Sequence, residues 1–456
     1  MSTDPALFAR LLTTRALVRR HAAWSPERLR ADQARRLVQL RAHARHRSPF
    51  YAEHHKALGD APLAELPPVT KKDLMAQWDD LVTVPGLRLV EASARLAELE
   101  ASRLDPGRPW QGRWWLAGTA GTTGRRGVFV WDRPEWAQVL TSYARVNDWA
   151  GVRVGVRHRM RAAIVSTTNP THQSAVVGAS LRNPLVETLR LDAARPIGDT
   201  IAALNAFQPR LLVCYASVLG PLAEAQLAGR LAISPEKVVT ASEETLEPAR
   251  LNALMAWRVG IVSTYAATET ATIASSCPLG SMHLYEDFVI PEPVDDDYRP
   301  VPDGVLAPRV LVTVLFSRTL PLIRYELSDS VRLATERCPC GLPFRCLAEV
   351  CGRTDDTLRL AGRNGEAVPL HPAALHEALE PVAVHGWQVE QRPDGLTISV
   401  VDPEGRLDTE AIRSRVRSAL SVAGVAPTVG VDVKVTREAG RTPLGKVRLI
   451  RPLAPD

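Results

Sequence analysis

The stretch "TAGTTGRRGVF", Thr119 to Phe129, decides how this chain is read. It lies between two apolar runs, Trp114-Trp115-Leu116 and Val128-Phe129-Val130. Glycines allow backbone N–H groups to converge on an anion, and threonine hydroxyls add donors. The adjacent Arg125 and Arg126 bring charge in a forked hydrogen-bonding geometry. The same composition also suits an ordinary turn. The spacing G-x-x-x-x-G-K-[ST] is absent, so the loop alone leaves both readings open.

Working outward, 456 residues exceed one ordinary core, and a large domain with a smaller one is the natural expectation. Apolar residues make up 45% and charged residues 23%, a composition that supports a packed interior. The net charge is +6, and only six of the 56 basic residues are lysine: 56, 71, 72, 237, 434 and 446. The arginines are spread along the chain and do not alternate with aromatics, which argues against nucleic-acid binding. The first twenty residues carry four arginines and no apolar core of a secretory signal. No run approaches the ~18 apolar residues of a membrane span. A cytoplasmic location is expected. Four of the six cysteines fall between 338 and 351, a clustering that points to metal more than to disulfides.

Residues 1–58 read as helices, with Ala31, Ala34, Leu37, Leu40 and Ala44 on one apolar face. Thr70 reads as the N-cap of a helix after "LPPV". The runs 162–168, 210–217, 259–267 and 309–317 read as buried strands, and 218–231 as a helix. This alternation predicts α/β layers around a mixed or parallel sheet. Near 353 the character changes. Helices at 372–382 and 408–423, a hairpin at Asp394-Gly395 and a strand at 430–438 predict a small α+β domain. The expected division is 1–352 and 353–456.

Four further segments alter the reading of the opening loop. They are "TYAATET" (264–270), "LIRYELSDSVRL" (322–333), "GRTDDTL" (352–358) and "GRTPLGKVRLI" (440–450). In this order they resemble the adenylate-forming superfamily of acyl-CoA synthetases, adenylation domains and luciferases. "HARHRSPFY" (43–51), "LPPVTKKDL" (66–74), "PLIRYELSD" (321–329), "CPCG" (338–341) and "GRTDD" (352–356) are similar to the wording of phenylacetate–CoA ligase-like enzymes. The resemblance spans about 25 to 450. It implies a large multi-layer α/β adenylating domain and a small mobile carboxy-terminal α+β domain.

It also implies roles. Thr119, Gly121, Thr122, Thr123, Gly124 and Arg125 would wrap the phosphates of ATP. Tyr265 would stack on adenine beside Ala266, with Ser242 and Glu243 near the base. Thr268 would touch the α-phosphate, and Glu269 would hold Mg²⁺, a hard cation suited to carboxylate oxygen. Asp329 and Arg353 would hold the ribose. Lys446 would bridge the acid and the α-phosphate, where charge builds up in the transition state. His172, in "TTNPTHQS" (167–174), follows a buried strand and would line the acid pocket. Read singly, each is an ordinary turn, cap or surface residue. Trp114, Trp115 and Trp131 read as packing residues.

Three departures bear on the substrate. Arg125 stands where the resembled enzymes carry lysine, Ala266 where they carry glycine, and "LSDS" replaces "TGD". Cys277, His283, Cys338 and Cys340 form a thiolate–imidazole set suited to a structural Zn²⁺. Cys346 and Cys351 could replace one of them. The function implied is ATP-dependent activation of a small aryl or organic acid with release of pyrophosphate, then transfer to coenzyme A. Capture by an amine, activation of an oxyanion such as nitrite, and a non-catalytic nucleotide-binding role stay open. The expected partners are a small-molecule acid, a nucleotide and coenzyme A. A homodimer is compatible with the sequence.

Overall fold

A computed structural model describes residues 4–453 except 103, 120–125, 183, 243–244, 354–355, 380–381, 383–385, 403–404, 406 and 443–444. The amino-terminal part is helical: α1 (Pro5–Arg19), α2 (Pro26–Arg47), α3 (Pro49–His54), α4 (Lys71–Ala76), α5 (Trp78–Leu81) and α6 (Leu89–Ser102). Thr70 caps α4, accepting from Asp73 N while Asp73 accepts in return from Thr70 N. The face of α2 differs from the expected one. Leu29, Leu40 and Ala44 are buried, whereas Ala31 and Ala34 are exposed. The inward stripe is shared with polar residues: Gln33 and Arg36 reach the carbonyls of Glu286 and Asp287.

A hairpin of β1 (Trp115–Gly118) and β2 (Val128–Trp131) carries the opening loop at its tip. Its tryptophans are buried, as read from the sequence. After α7 (Arg133–Trp149) come β3 (Met160–Ser166), α8 (Gln173–Ser180), β4 (Val186–Asp192), α9 (Ile197–Phe207), β5 (Leu211–Tyr215), α10 (Ala216–Leu227), β6 (Lys237–Ala241), α11 (Glu247–Trp257) and β7 (Ile261–Ala267). Strands β4-β3-β5-β6-β7 pair in parallel. Their apolar runs suit a sheet covered on both faces. From β7 onward the sheet turns antiparallel through β8 (Ala271–Ser276) and β9 (Met282–Leu284). Next in chain order are β10 (Val289–Val294), β11 (Leu306–Ala307), β12 (Arg309–Val314), β13 (Tyr325–Leu327), β14 (Asp329–Leu333) and β15 (Cys346–Arg353). Among the described residues β11, β14 and β15 complete a ten-stranded sheet, while β10, β12 and β13 form a separate one.

Beyond Arg353 lie β16 (Leu358–Ala361), β17 (Ala367–Leu370), α12 (Pro372–Leu379), β18 (Trp387–Arg392), β19 (Gly395–Val401), α13 (Thr409–Val422), β20 (Gly430–Thr436) and β21 (Ile450–Arg451). Leu358, Leu375, Trp387, Ile398, Val416 and Ile450 belong to a hydrophobic cluster of this part's own. The ion pair of Arg448 with Asp356 ties its last loop back to its first residues. Among the described residues no helix is long and apolar enough to cross a membrane.

Candidate active site

In open α/β sheets ligands bind beyond the carboxyl ends of the strands. Here β3 to β7 end on one edge, and the segments that follow them carry the candidate residues. Beyond β7, Thr268, Glu269 and Thr270 make a tight turn, and Ala271 takes a left-handed φ of 64° to enter β8. A non-glycine residue in that conformation costs on the order of 1–2 kcal/mol, so neighbours must hold it. Gln173, the first residue of α8, donates from Nε2 to the carbonyl of Thr268 at 2.9 Å. Tyr143 in turn donates its hydroxyl to Gln173 Oε1 at 3.0 Å. Ala266 lies next to a break in the β7–β8 register.

Asp329 opens β14 and Arg353 closes β15, and the two face each other across the antiparallel pair. Arg353 Nε donates to Asp329 Oδ1 at 3.0 Å, and the Tyr265 hydroxyl donates to Oδ2 at 2.8 Å. Burial, and then the facing Asp329 carboxylate, holds the Tyr265 phenol well above its ordinary range. Burial likewise pushes the Glu269 carboxyl up, and Arg353 and Lys71 pull against it.

Lys71, at the start of α4, donates from Nζ to Thr119 Oγ1 at 3.1 Å. The neck of the opening loop is closed by Thr119 N to the carbonyl of Gly127 at 3.0 Å and Gly127 N to Thr119 Oγ1 at 2.8 Å. A Cβ at Gly127 would come within 2.9 Å of the Phe129 ring, so the tight neck requires glycine there. Arg126 turns away to Glu100 at 3.0 Å and to the Thr171 hydroxyl.

The last contributor comes from the far end of the chain. A Cβ at Gly445, where φ is +78°, would sit 2.6 Å from the Ala193 carbonyl carbon. Gly445 therefore presses directly on the segment after β4. The neighbouring Lys446 ammonium lies 5.4 Å from the centroid of the Tyr215 ring, at the end of β5. Burial, then Lys446, then Arg126 depress His172 to about 4, so its imidazole is neutral near pH 7.

The structure thus brings Tyr265, Glu269, Asp329 and Arg353 together, and Lys446 with His172. Gln173, next to His172, bonds to Thr268, next to Glu269. Ser242 turns the chain after β6 with φ +73°, and among the described residues no hydrogen bond joins it to Tyr265. The expected residues Gly121, Thr122, Thr123, Gly124, Arg125 and Glu243 lie outside the described residues. Sequence reading gave Arg126 to the phosphates, whereas the structure turns it to Glu100 and Thr171; it passed over Lys71, Gln173 and Tyr215 as site residues. Lysine scarcity was a signal for Lys71; the others carried none, because their partners are distant in sequence.

The cysteine cluster is compact. The ligand atoms of Cys277, His283, Cys338 and Cys340 all lie within 4.8 Å of one another. Cys277 and Cys338 Sγ are 3.8 Å apart, and Cys340 Sγ is 3.2 Å from His283 Nε2. His283 Nδ1 lies 2.9 Å from the carbonyl of Phe344, which orients the ring and leaves Nε2 toward the thiols. Cys346 Sγ lies 3.6 Å from both ring nitrogens. Cys351 is buried elsewhere on β15.

No protein-family model matches the chain. The phenylacetate–coenzyme A ligase of Thermus thermophilus is 26% identical over 474 residues, covering 93% of this chain and 96% of that one. A phenylacetate–coenzyme A ligase of Aromatoleum evansii is 28% identical over 160 residues, 33% of this chain and 34% of its own. Among solved structures, 2-hydroxyisobutyryl-CoA ligase in the postadenylation state superposes with a TM-score of 0.71 at 18% identity, covering 95% of this chain and 91% of its own. The chain is accordingly a homologue of phenylacetate–coenzyme A ligase along nearly its whole length, and its α/β architecture is that of the adenylate-forming enzymes.

Proposed function

We propose that this chain is an ATP-dependent, AMP-forming ligase that activates a small aryl or organic carboxylic acid and passes the acyl group to coenzyme A. One observation carries the reading. Lys446 lies beside Tyr215 and His172, and the strand ends of the same sheet bear Glu269, Asp329 and Arg353.

The chemistry follows from the charges. The acid's carboxylate oxygen attacks the α-phosphorus, and the bond to pyrophosphate breaks. Lys446 stabilises the negative charge that accumulates there. Glu269 is a buried carboxylate pushed up by burial, and it would hold a Mg²⁺ ion, whose charge would favour its ionised form. Asp329, fixed by Arg353 and Tyr265, is set to accept from ribose hydroxyls. Lys71 offers the opening loop a second cation beside Thr119. In the second step the thiol of coenzyme A attacks the acyl carbonyl, AMP leaves and the thiol proton is released. For that step the part beyond Arg353 would swing away and take Lys446 with it, a hinge motion between the two parts. The domain division at 352/353 belongs to this reading.

Cys277, His283, Cys338 and Cys340 fit a structural Zn²⁺. Two thiolates on a tetrahedral ion at about 2.3 Å would stand roughly 3.8 Å apart. Cys277 and Cys338 have that separation. The ion would tie the turn after β8 to the segment after β14. A cytoplasmic setting, where thiols stay reduced, suits this cluster.

The test is product mass. Wild-type protein is incubated with ATP, Mg²⁺, a panel of acids and, separately, coenzyme A, amines and nitrite. An acyl-CoA and AMP are expected for at least one acid. An amide, or a product of activated nitrite, in place of the thioester would overturn the acceptor assignment. No AMP with any acid would overturn the whole reading.

A further inference from the structure

The turn that carries Glu269 supports itself poorly. Three residues, Thr268 to Thr270, separate the paired Ala267 and Ala271. Loops of this length are commonly closed by a left-handed residue, and glycine is the one that takes that conformation freely. Here the position is Ala271, fully buried, with φ at 64°. The turn's own backbone bond, from Thr270 N to the Ala267 carbonyl, is long at 3.3 Å.

Side chains of two helices hold the turn from outside. Before Glu269, Gln173 of α8 donates from Nε2 to the Thr268 carbonyl at 2.9 Å, across 95 positions of sequence. After it, the Ser142 hydroxyl of α7 accepts from Thr272 N at 3.3 Å and donates to the Val139 carbonyl at 2.8 Å. Gln173, Ser142 and Thr272 are all buried. The Gln173 amide can face the turn in one way only. A carbonyl accepts and never donates, so the NH₂ group must point at Thr268. Oε1 is then left for Tyr143, whose hydroxyl donates to it at 3.0 Å. Tyr143 and Ser142 are adjacent on α7, so one turn of that helix backs both ends of the clamp.

We propose that Gln173 is a positioning residue for the divalent cation: through the Thr268 carbonyl it fixes the Glu269 carboxylate in the orientation that holds Mg²⁺. This rests on the adenylation reading above. Mg²⁺ demands near-ideal octahedral geometry, so a carboxylate on a turn that relaxes even slightly holds it less well. Losing an outer partner of this kind typically costs about 10–100-fold in metal affinity. The identity of the side chain matters as well as its size. Glutamate fills the same space, but its ionised carboxylate repels the Thr268 carbonyl oxygen, whereas the protonated acid donates to it.

The test compares wild type, Gln173→Glu and Tyr143→Phe. One readout is the Mg²⁺ concentration that gives half-maximal ATP–pyrophosphate exchange with an accepted acid. The other is the Mg²⁺-dependent part of the thermal shift produced by α,β-methylene-ATP. At pH 8 Gln173→Glu should raise the Mg²⁺ requirement about tenfold and lose the Mg²⁺-dependent shift, with KM for the acid within about threefold of wild type. The gap to wild type should narrow toward pH 6. Tyr143→Phe keeps the ring and removes the bond that aims the amide, and it should move both readouts the same way by about threefold. An unmoved Mg²⁺ requirement in both folded variants would overturn the proposal. So would a rise in KM for the acid in its place, or a gap that ignores pH. If wild type shows the Mg²⁺-dependent shift but exchanges with no acid, adenylation fails and the shift alone decides Gln173: its retention in Gln173→Glu overturns the clamp. If wild type shows neither, both readings fall.

Discussion

His55, His172 and His376 are each pushed down to about 4, in every case by burial first. His55 is fully buried, and among the described residues neither ring nitrogen finds a partner. In the unfolded chain each would titrate near ~6.5. Between those two values the unfolded state binds protons that the folded state refuses, so stability rises with pH across that window. The thermal midpoint should therefore drop steadily from pH 6.5 to pH 4.5. His55→Phe should flatten the slope. A midpoint unchanged over that range would contradict the burial of these rings. By the same reasoning His172 stays neutral above about pH 5, so adenylation near neutrality should show no limb from it. At this scale the order of Glu269, Asp329, Arg353 and Lys446 was readable from sequence, because the resemblance fixed it. Gln173 and Tyr215 were not readable. Each takes its meaning from a neighbour on another strand or helix, and spacing along the chain does not record that.

At the scale of elements, the strand positions were legible because parallel strands buried on both faces leave unbroken apolar runs. Their ends were not. The expected strand 210–217 stops at Tyr215, and α10 starts at Ala216 with no proline or glycine between them. The start of α7 shows what local reading cannot see. Asp132 and Glu135 form a capping box, a signature visible in sequence. The Glu135 carboxylate also accepts from the backbone N–H groups of Arg318 and Thr319 and from the Thr319 hydroxyl. One side chain thereby stitches the helix start to a turn more than 180 residues away. Glu135→Ala strands these buried donors and should destabilise the fold by about 2–4 kcal/mol in urea unfolding. Loss of less than the ~1 kcal/mol of a simple cap would show that the long-range bonds contribute nothing.

At the scale of the molecule, two attachments hold distant parts in place. One is the thiol–imidazole cluster, which joins β9 to the 338–340 segment between β14 and β15. Metal analysis should find about one zinc per chain, and a strong chelator should lower the thermal midpoint by several degrees. Cys338→Ser should reproduce the loss without chelator. Zinc-free protein with an unchanged midpoint would contradict the metal reading. The other attachment is made by Gly445 and Lys446, which the sequence announced through one lysine in a chain that has six. Its landing place, against Ala193 and above Tyr215, depends on how the carboxy-terminal part seats on the sheet edge. No local pattern could supply that.

The most direct measurement is ATP–pyrophosphate exchange by wild type and Lys446→Ala with an acid that wild type accepts. Removing one positive charge from the reacting phosphate should cost on the order of 3 kcal/mol of barrier, a fall of about a hundredfold or more. The variant's thermal midpoint should match the wild type within about two degrees, because the lysine is only partly buried. Exchange by the folded variant at the wild-type rate would contradict the placement of this lysine at the reacting phosphate.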